Sequence, residues 1–354
     1  MQLLLRYMLC LGLVSFFSLP AHALPREETS RPVSTNSGAP CWLYTQGSHI
    51  RKCDGQIWQG HGANLQDTRS CESCLVRPDV KEVIRRIDAL TDDWHADFIR
   101  LTMENWFQSG VLTDPGYLSD LHKIIDHIGT KKNVYVMLAM WHDPTLDGHG
   151  WPTMAAAPIW ERIVADFGDR PYVMFGLSNE PERNSDGTLD NQVWMHMEKL
   201  VQVIRKAEKA HHVPEHIIAV QATRNWARTL DYYIDHPIAA SSGRNIIYET
   251  HIYNPETDFD ALLTTPARTL PVVIGEFGPM SAMSLHDCEK LMQLAESLSV
   301  PYLGWTFHSS CAPNLLQNLS EHTCSRGEPL VPTQWGSLLK THLERLASPP
   351  DMQR

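Results

Sequence analysis

Two glutamates in this chain stand where a carboxyl group can do chemistry. Glu180 closes the run Tyr172-Val-Met-Phe-Gly-Leu-Ser-Asn-Glu180, followed by Pro181, and Glu276 closes Pro271-Val-Val-Ile-Gly-Glu276, followed by Phe277-Gly278. Each run is short, apolar and continuous, the pattern of a strand buried on both faces of a parallel sheet. Pro181 has no ladder N–H and forces extended backbone on its predecessor, so the first of these strands is expected to stop at Glu180. Glycines beside Glu276 permit close backbone approach and a sharp exit. A pair of carboxyls about 5 Å apart is what double-displacement hydrolysis of a glycosidic bond needs. One holds a proton for the leaving oxygen, and the other is ionised to attack the anomeric carbon. Because a neighbouring carboxylate disfavours a second charge, the acid is expected to titrate above the nucleophile.

The residues around the pair indicate which is which. Arg100, expected at the end of the second strand, is always charged and would favour an ionised Glu276. Tyr253, in His251-Ile-Tyr253, could donate a hydrogen bond to the same carboxylate, and Asn179 could bond a sugar hydroxyl. His142 and His251, both at expected strand ends, can orient the carboxylates or the sugar. This makes Glu180 the acid, expected to titrate above Glu276. Flat aromatic rings suit the apolar faces of pyranoses. Trp305 closes the last expected strand, and Trp106, Trp141, Trp151 and Trp226 follow others, while several of the eleven tryptophans are expected to be core.

The elements that must position these residues follow one rhythm. Strands are expected over 57–65, 97–102, 133–140, 172–180, 216–221, 245–251, 271–276 and 301–307. Helical spacing of apolar residues fills 79–90, 118–128, 159–167, 190–210, 284–297 and 334–346. Asp190 has the chemistry of a helix cap. Eight strands with intervening helices predict a single-domain α/β fold, a closed (β/α)8 TIM barrel over 41–346, with a short tail over 347–354.

Length and composition agree. The chain has 354 residues, 43% hydrophobic and 20% charged, enough for one large core. Its formal net charge is −11 and no basic face is evident, which disfavours nucleic acid and anionic membranes as partners. Residues 1–23 read as a secretory signal, with Arg6, an apolar stretch from Met8 to Leu19 too short to span a membrane, and Ala21-His22-Ala23. Residues 24–40 read as a flexible leader. Export makes the cysteines candidates for disulfides. Sequence proximity pairs Cys41–Cys53, Cys71–Cys74 and Cys311–Cys324 and leaves Cys288 free. Cys71-Glu-Ser-Cys74 lacks a second ligand pair at a zinc-finger distance, so neither metal nor other cofactor is expected.

The ordered set Gly62-Ala-Asn64-Leu, Ile99-Arg100-Leu, Trp141-His142, Leu177-Ser-Asn179-Glu180-Pro181, His251-Ile-Tyr253, Gly275-Glu276-Phe-Gly278 and Gly304-Trp305 resembles glycoside hydrolase family 5, the cellulase-type barrels. The resemblance implies Glu180 as general acid/base and Glu276 as nucleophile, with Arg100, His142, Asn179, His251, Tyr253 and Trp305 around the cleaved sugar. It implies a retaining endo-β-1,4-glucanase acting on a β-linked oligo- or polysaccharide, which the signal segment marks for export and which is expected to be a monomer. A β-mannanase, a glycosidase of glycolipids or decorated glucans, and a carbohydrate-binding barrel without activity are the alternatives. The segment Asn64 to Cys71 departs from the family pattern, which leaves the substrate on that side of the cleft open.

Overall fold

The computed structural model describes residues 40–69, 78–103, 110–141, 151–280, 282–319 and 327–348. Its strands are β1 (Tyr44–Gln46), β2 (His49–Arg51), β3 (His61–Gln66), β4 (Phe98–Met103), β5 (Tyr135–Met140), β6 (Val173–Gly176), β7 (Ile218–Gln221), β8 (Ile246–Ile252), β9 (Val272–Phe277) and β10 (Tyr302–Gly304). Its helices are α1 (Val80–Asp88), α2 (Pro115–Gly129), α3 (Ala157–Phe167), α4 (Asp190–His211), α5 (Asp231–Asp235), α6 (Thr265–Ala267), α7 (Leu285–Leu298) and α8 (Gln334–Ala347). Strands β3 to β10 are parallel and close on themselves, β10 pairing with β3, and a helix follows each. This is the expected (β/α)8 barrel, carried by the unit that begins at Ser34. Residues 1–33, including the expected signal segment, lie outside the described residues.

Alternation along each strand divides the side chains between two cores. In β4, Ile99, Leu101 and Met103 face the helices, while Phe98 joins Tyr135, Met137, Met174, Ala219, Ile247, Val273 and Leu303 in the barrel interior. Above this apolar floor the same inward register places Asn64 of β3, Arg100 of β4, Gln221 of β7 and Glu249 of β8, all buried. The barrel is thus packed with hydrocarbon at its foot and with hydrogen-bonding groups at the C-terminal end of its strands.

The hairpin β1–β2 is not evident from sequence periodicity, because its three-residue strands are too short to show one. Gly47, at φ +61°, opens its tight turn. The hairpin delivers Leu43 and Ile50, with Trp58, to the barrel floor. Ile57, expected to begin the first barrel strand, instead bridges back to Arg51, and β3 starts at His61. The hairpin is fastened by the Cys41–Cys53 disulfide, by Tyr135, whose hydroxyl accepts from Cys41 N at 3.0 Å and donates to Cys41 O at 2.9 Å, and by reciprocal bonds between Thr45 and Asn245. Cys288 is free and buried in α7, as expected, and Cys311 is disulfide-bonded. Cys71, Cys74 and Cys324 lie outside the described residues. With a sequence separation of 12 between the linked cysteines, Cys41→Ser is expected to cost about 3 kcal/mol of unfolding free energy while leaving kcat/KM unchanged well below the melting temperature. Denaturant titration beside an activity assay checks this.

Two buried histidines each withdraw stability in acid. Burial, aided by Arg86, pushes His308 down to about 3, and burial pushes His61 down to about 4. Both are neutral in the fold, whereas in the unfolded chain each takes up a proton below its ordinary 6.5. Their contribution to stability therefore falls as pH drops from about 6.5 toward 4, at roughly 1.4 kcal/mol per pH unit for His308 alone, and is opposed by Asp97 and Glu276, which burial raises to about 6 and about 7. Melting temperatures over that range, in which His308→Gln gains on the parent as pH falls, are the check.

Candidate active site

A β-bulge brings the second glutamate inward. Val273 faces the barrel interior and Ile274 the helices, so strict alternation would aim Glu276 outward. Between Ile274 and Glu276, however, β9 slips by one residue against β8, so that Thr250 opposes Ile274 while His251 opposes Glu276. The pairing with β10 shifts across the same stretch, Tyr302 opposing Ile274 and Gly304 opposing Phe277. One extra residue in β9 therefore turns Glu276 to the side of inward-facing His251, the re-aiming that bulges near active sites commonly perform.

Glu180 arrives differently. Strand β6 ends at Gly176, four residues before the glutamate and not at Glu180 as expected. Leu177 N still donates to Ala219 O at 3.1 Å, but Ser178 N donates to the Gln221 side chain at 3.0 Å, so a side chain takes over where the ladder stops. The segment after Pro181 is tied down through Asn184, whose amide donates to Asp190 Oδ1 and Thr223 O, both at 2.8 Å. Asp190, expected as a helix cap, is the first residue of α4 and spends its carboxylate on Asn184, Thr223 and Arg224.

The two carboxyls meet across one imidazole. His251 Nδ1 lies 2.8 Å from Glu180 Oε1 and 3.5 Å from Glu276 Oε2. The contacting atoms of the three residues all fall within 4.8 Å of one another. Arg100, placed mid-strand and not at a strand end, donates from Nη1 to Glu276 Oε1 at 2.8 Å and to Asn64 Oδ1 at 2.9 Å, and from Nη2 to Asn179 Oδ1 at 3.0 Å. Tyr253 donates to Glu276 Oε2 at 3.0 Å. Glu276 is nearly buried, its side chain 4% exposed, whereas that of Glu180 is 19% exposed. Trp305, also buried, stacks on Trp141 with ring centres 4.8 Å apart and donates from its indole to Ala312 O. His142 and Trp106 lie outside the described residues. Trp151 is buried, and Trp226 is 44% exposed on the loop after β7.

The expectation that neighbouring groups favour an ionised Glu276 meets an opposing effect. Burial pushes Glu276 up to about 7, with His251 and Arg100 pulling it down and Glu180 pushing it up. Arg100 and Tyr253, the neighbours evident from sequence, pull it down, while the desolvation that the bulge imposes by turning this carboxylate into the barrel is a property of the assembled fold. The acidic groups are met by donors: both Glu276 oxygens are taken by Arg100 and Tyr253, and Glu180 Oε1 by His251. With a guanidinium set among them, the carboxylates form a counter-ion network, an environment that opposes a divalent cation.

Two members of the network are absent from the sequence reading. Glu249 contacts His251 Nε2 at 3.1 Å and Arg100 Nε at 2.8 Å, the latter a charge contact out of line for a hydrogen bond, and Gln221 donates to its other oxygen at 2.6 Å. The signal available was period two: Glu249 and His251 share a face of one strand.

Fold and rim together define a β/α barrel with paired carboxyls at the C-terminal ends of its strands. The chain belongs to the family described as cellulase (glycosyl hydrolase family 5), whose model matches residues 59–310. It is 26% identical to endoglucanase E-5 of Thermobifida fusca over 76% of this chain and 56% of that one. It is 25% identical to endoglucanase CelA of Streptomyces lividans, over 62% and 48%. A mannan endo-1,4-beta-mannosidase of Cellvibrio japonicus is 24% identical, over 87% and 66%. The chain thus spans about half the length of the first two. Among solved structures, the catalytic domain of T. fusca endoglucanase Cel5A (E5) superposes with a TM-score of 0.67 at 21% identity, covering 85% of this chain and 97% of that one.

Proposed function

We propose that this chain is a retaining endo-β-1,4-glucanase. The observation that carries the reading is the pair Glu180 and Glu276, held at the spacing that leaves room for a sugar carbon and not for an intervening water. In the first step ionised Glu276 attacks the anomeric carbon while Glu180 gives its proton to the departing oxygen. This forms a glycosyl ester and frees the other half of the substrate. In the second step Glu180 takes a proton from water, which attacks the same carbon, breaks the ester and restores both groups. Two inversions give net retention.

The neighbours fit these roles. Arg100 and Tyr253 hold the attacking carboxylate in place and stabilise its charge. Arg100 engages the oxygen of Asn179, which leaves the amide NH2 for a sugar hydroxyl. The names of the relatives favour a β-1,4-linked polymer of glucose, and the long match to the C. japonicus enzyme keeps mannan as the second reading. Residues 1–23 are proposed to direct export, which the Cys41–Cys53 disulfide supports because such bonds persist in oxidising compartments.

Purified protein incubated in parallel with soluble β-1,4-glucan, mannan and xylan should release reducing ends fastest from glucan, and NMR of the first product should show the β-anomer. An α-anomer, or turnover of none of the three, would sink the proposal. Glu180→Gln should lower kcat/KM on glucan by about 10²–10⁴-fold and remove the basic limb of its pH profile. On an aryl glycoside, whose leaving group needs no proton, the first step should be far less affected.

A further inference from the structure

Beneath the glutamate pair lies a third carboxylate that the proposed double displacement does not use. Glu249 is fully buried in the interior of the barrel, on the same face of β8 as His251. Its Oε1 is flanked by two basic side chains, Arg100 Nε at 2.8 Å and His251 Nε2 at 3.1 Å, and its Oε2 accepts from Gln221 Nε2 at 2.6 Å. Room for it is built into the neighbouring strand. A Cβ on Gly275 would fall 2.0 Å from Glu249 Oε1, so the residue before Glu276 must be glycine for this carboxylate to lie where it does.

We propose that Glu249 is a positioning residue that holds His251 as an imidazolium carrying both ring protons and fixes Arg100 in the orientation from which it reaches Glu276. Proton counting carries the argument. A neutral imidazole has one N–H donor and one acceptor. His251 faces a carboxylate at each nitrogen, Glu180 Oε1 at 2.8 Å and Glu249 Oε1 at 3.1 Å, and Glu276 Oε2 stands a further 3.5 Å from Nδ1. With the proton of the acid carried on the other oxygen of Glu180, Oε1 still accepts, and two acceptors are satisfied together only by two donors. Arg100, the other charged group at this layer, lies on Glu249 and Glu276 and binds both.

The direction of titration agrees. Burial disfavours charge on His251, yet Glu276, Glu180 and Glu249 together raise it to about 9. Glu249, although buried, is held below its ordinary value by Arg100 and His251. The consequence for the reaction rests on the reading of Glu180 and Glu276 given above. A permanent positive charge beside Glu180 stabilises it as an anion after it has given up its proton, and lets the proton return once water is split.

The test reads protonation apart from turnover. Protein carrying 13C-labelled histidine, with the His251 resonance assigned by its disappearance in His251→Gln, is titrated by NMR from pH 5 to 10. In the unaltered protein His251 should keep both ring protons through pH 8. Titration near the ordinary value would overturn the proposal whatever the variants do. Glu249→Gln keeps the shape and the acceptor oxygen but removes the charge, and should lower the His251 midpoint by about one to three pH units. Glu249→Asp, which keeps the charge, should stay nearer the parent. The kcat/KM profile of Glu249→Gln should move to lower pH on both limbs, because one negative charge fewer eases every remaining deprotonation. A purely structural role would lower the height of that profile and leave both the limbs and the His251 midpoint in place. Hydrolysis of glucan by the unaltered protein is scored separately, so a wrong substrate class and a wrong role for Glu249 give different results.

Discussion

Glu276→Ala is expected to abolish glucan hydrolysis, with kcat/KM lowered by about 10⁴-fold or more, because the step it removes has no substitute in the site. Each other carboxylate is committed: Glu180 to His251, and Glu249 to Arg100, His251 and Gln221. The substitution also leaves a small void beside Arg100. A small anion such as azide, added from solution, should enter it and attack an aryl glycoside from the face that Glu276 occupied. The azide product would have the anomeric configuration opposite to the substrate's. If Glu276 only bound the sugar, its loss would raise KM, leave kcat within an order of magnitude, and azide would change nothing. Steady-state kinetics with product analysis distinguishes the two.

Arg100→Met should be the most destabilising single change in the rim. The guanidinium is fully buried and shared by Glu249, Glu276, Asn64 and Asn179. Replacing it with hydrocarbon strands two buried carboxylates, and breaking a buried ion pair from one side costs about 3–5 kcal/mol. Proton uptake relieves part of that cost. The variant should therefore recover stability relative to the parent as pH falls through the range in which Glu276 protonates. Arg100→Lys keeps the charge without the fork and should fall between the two. Chemical denaturation at several pH values measures both effects.

How much of this was legible in the sequence depends on the range of the interaction. The barrel, the runs that carry Glu180 and Glu276, and the company of Arg100, Asn179, His251 and Tyr253 are written in strand-length apolar segments and the polar residues that end them. What was not legible depends on partners far away in the chain. The end of β6 at Gly176 is set by a side chain on β7, and the inward turn of Glu276 by a one-residue slip against β8 and β10. Glu249 read as an ordinary strand residue because nothing local distinguishes a carboxylate aimed into a barrel from one aimed at water. The terminal hairpin escaped because three-residue strands carry no period, and the upward shift of Glu276 because burial is a property of the assembled fold.

The early end of β6 has a consequence for how the work is divided. Glu276 is anchored within a strand gripped on both sides, whereas Glu180 sits at the tip of a short tether running from Gly176 to the clasp at Asn184. An attacking group benefits from immobility, since its target is one carbon approached along one line. A proton carrier must serve an oxygen that departs and then a water that arrives from another angle. Mounting the first inside a strand and the second on a loop clasped at both ends matches the proposed division of labour, one group aimed at a single line of attack and the other presented toward the more open side of the site.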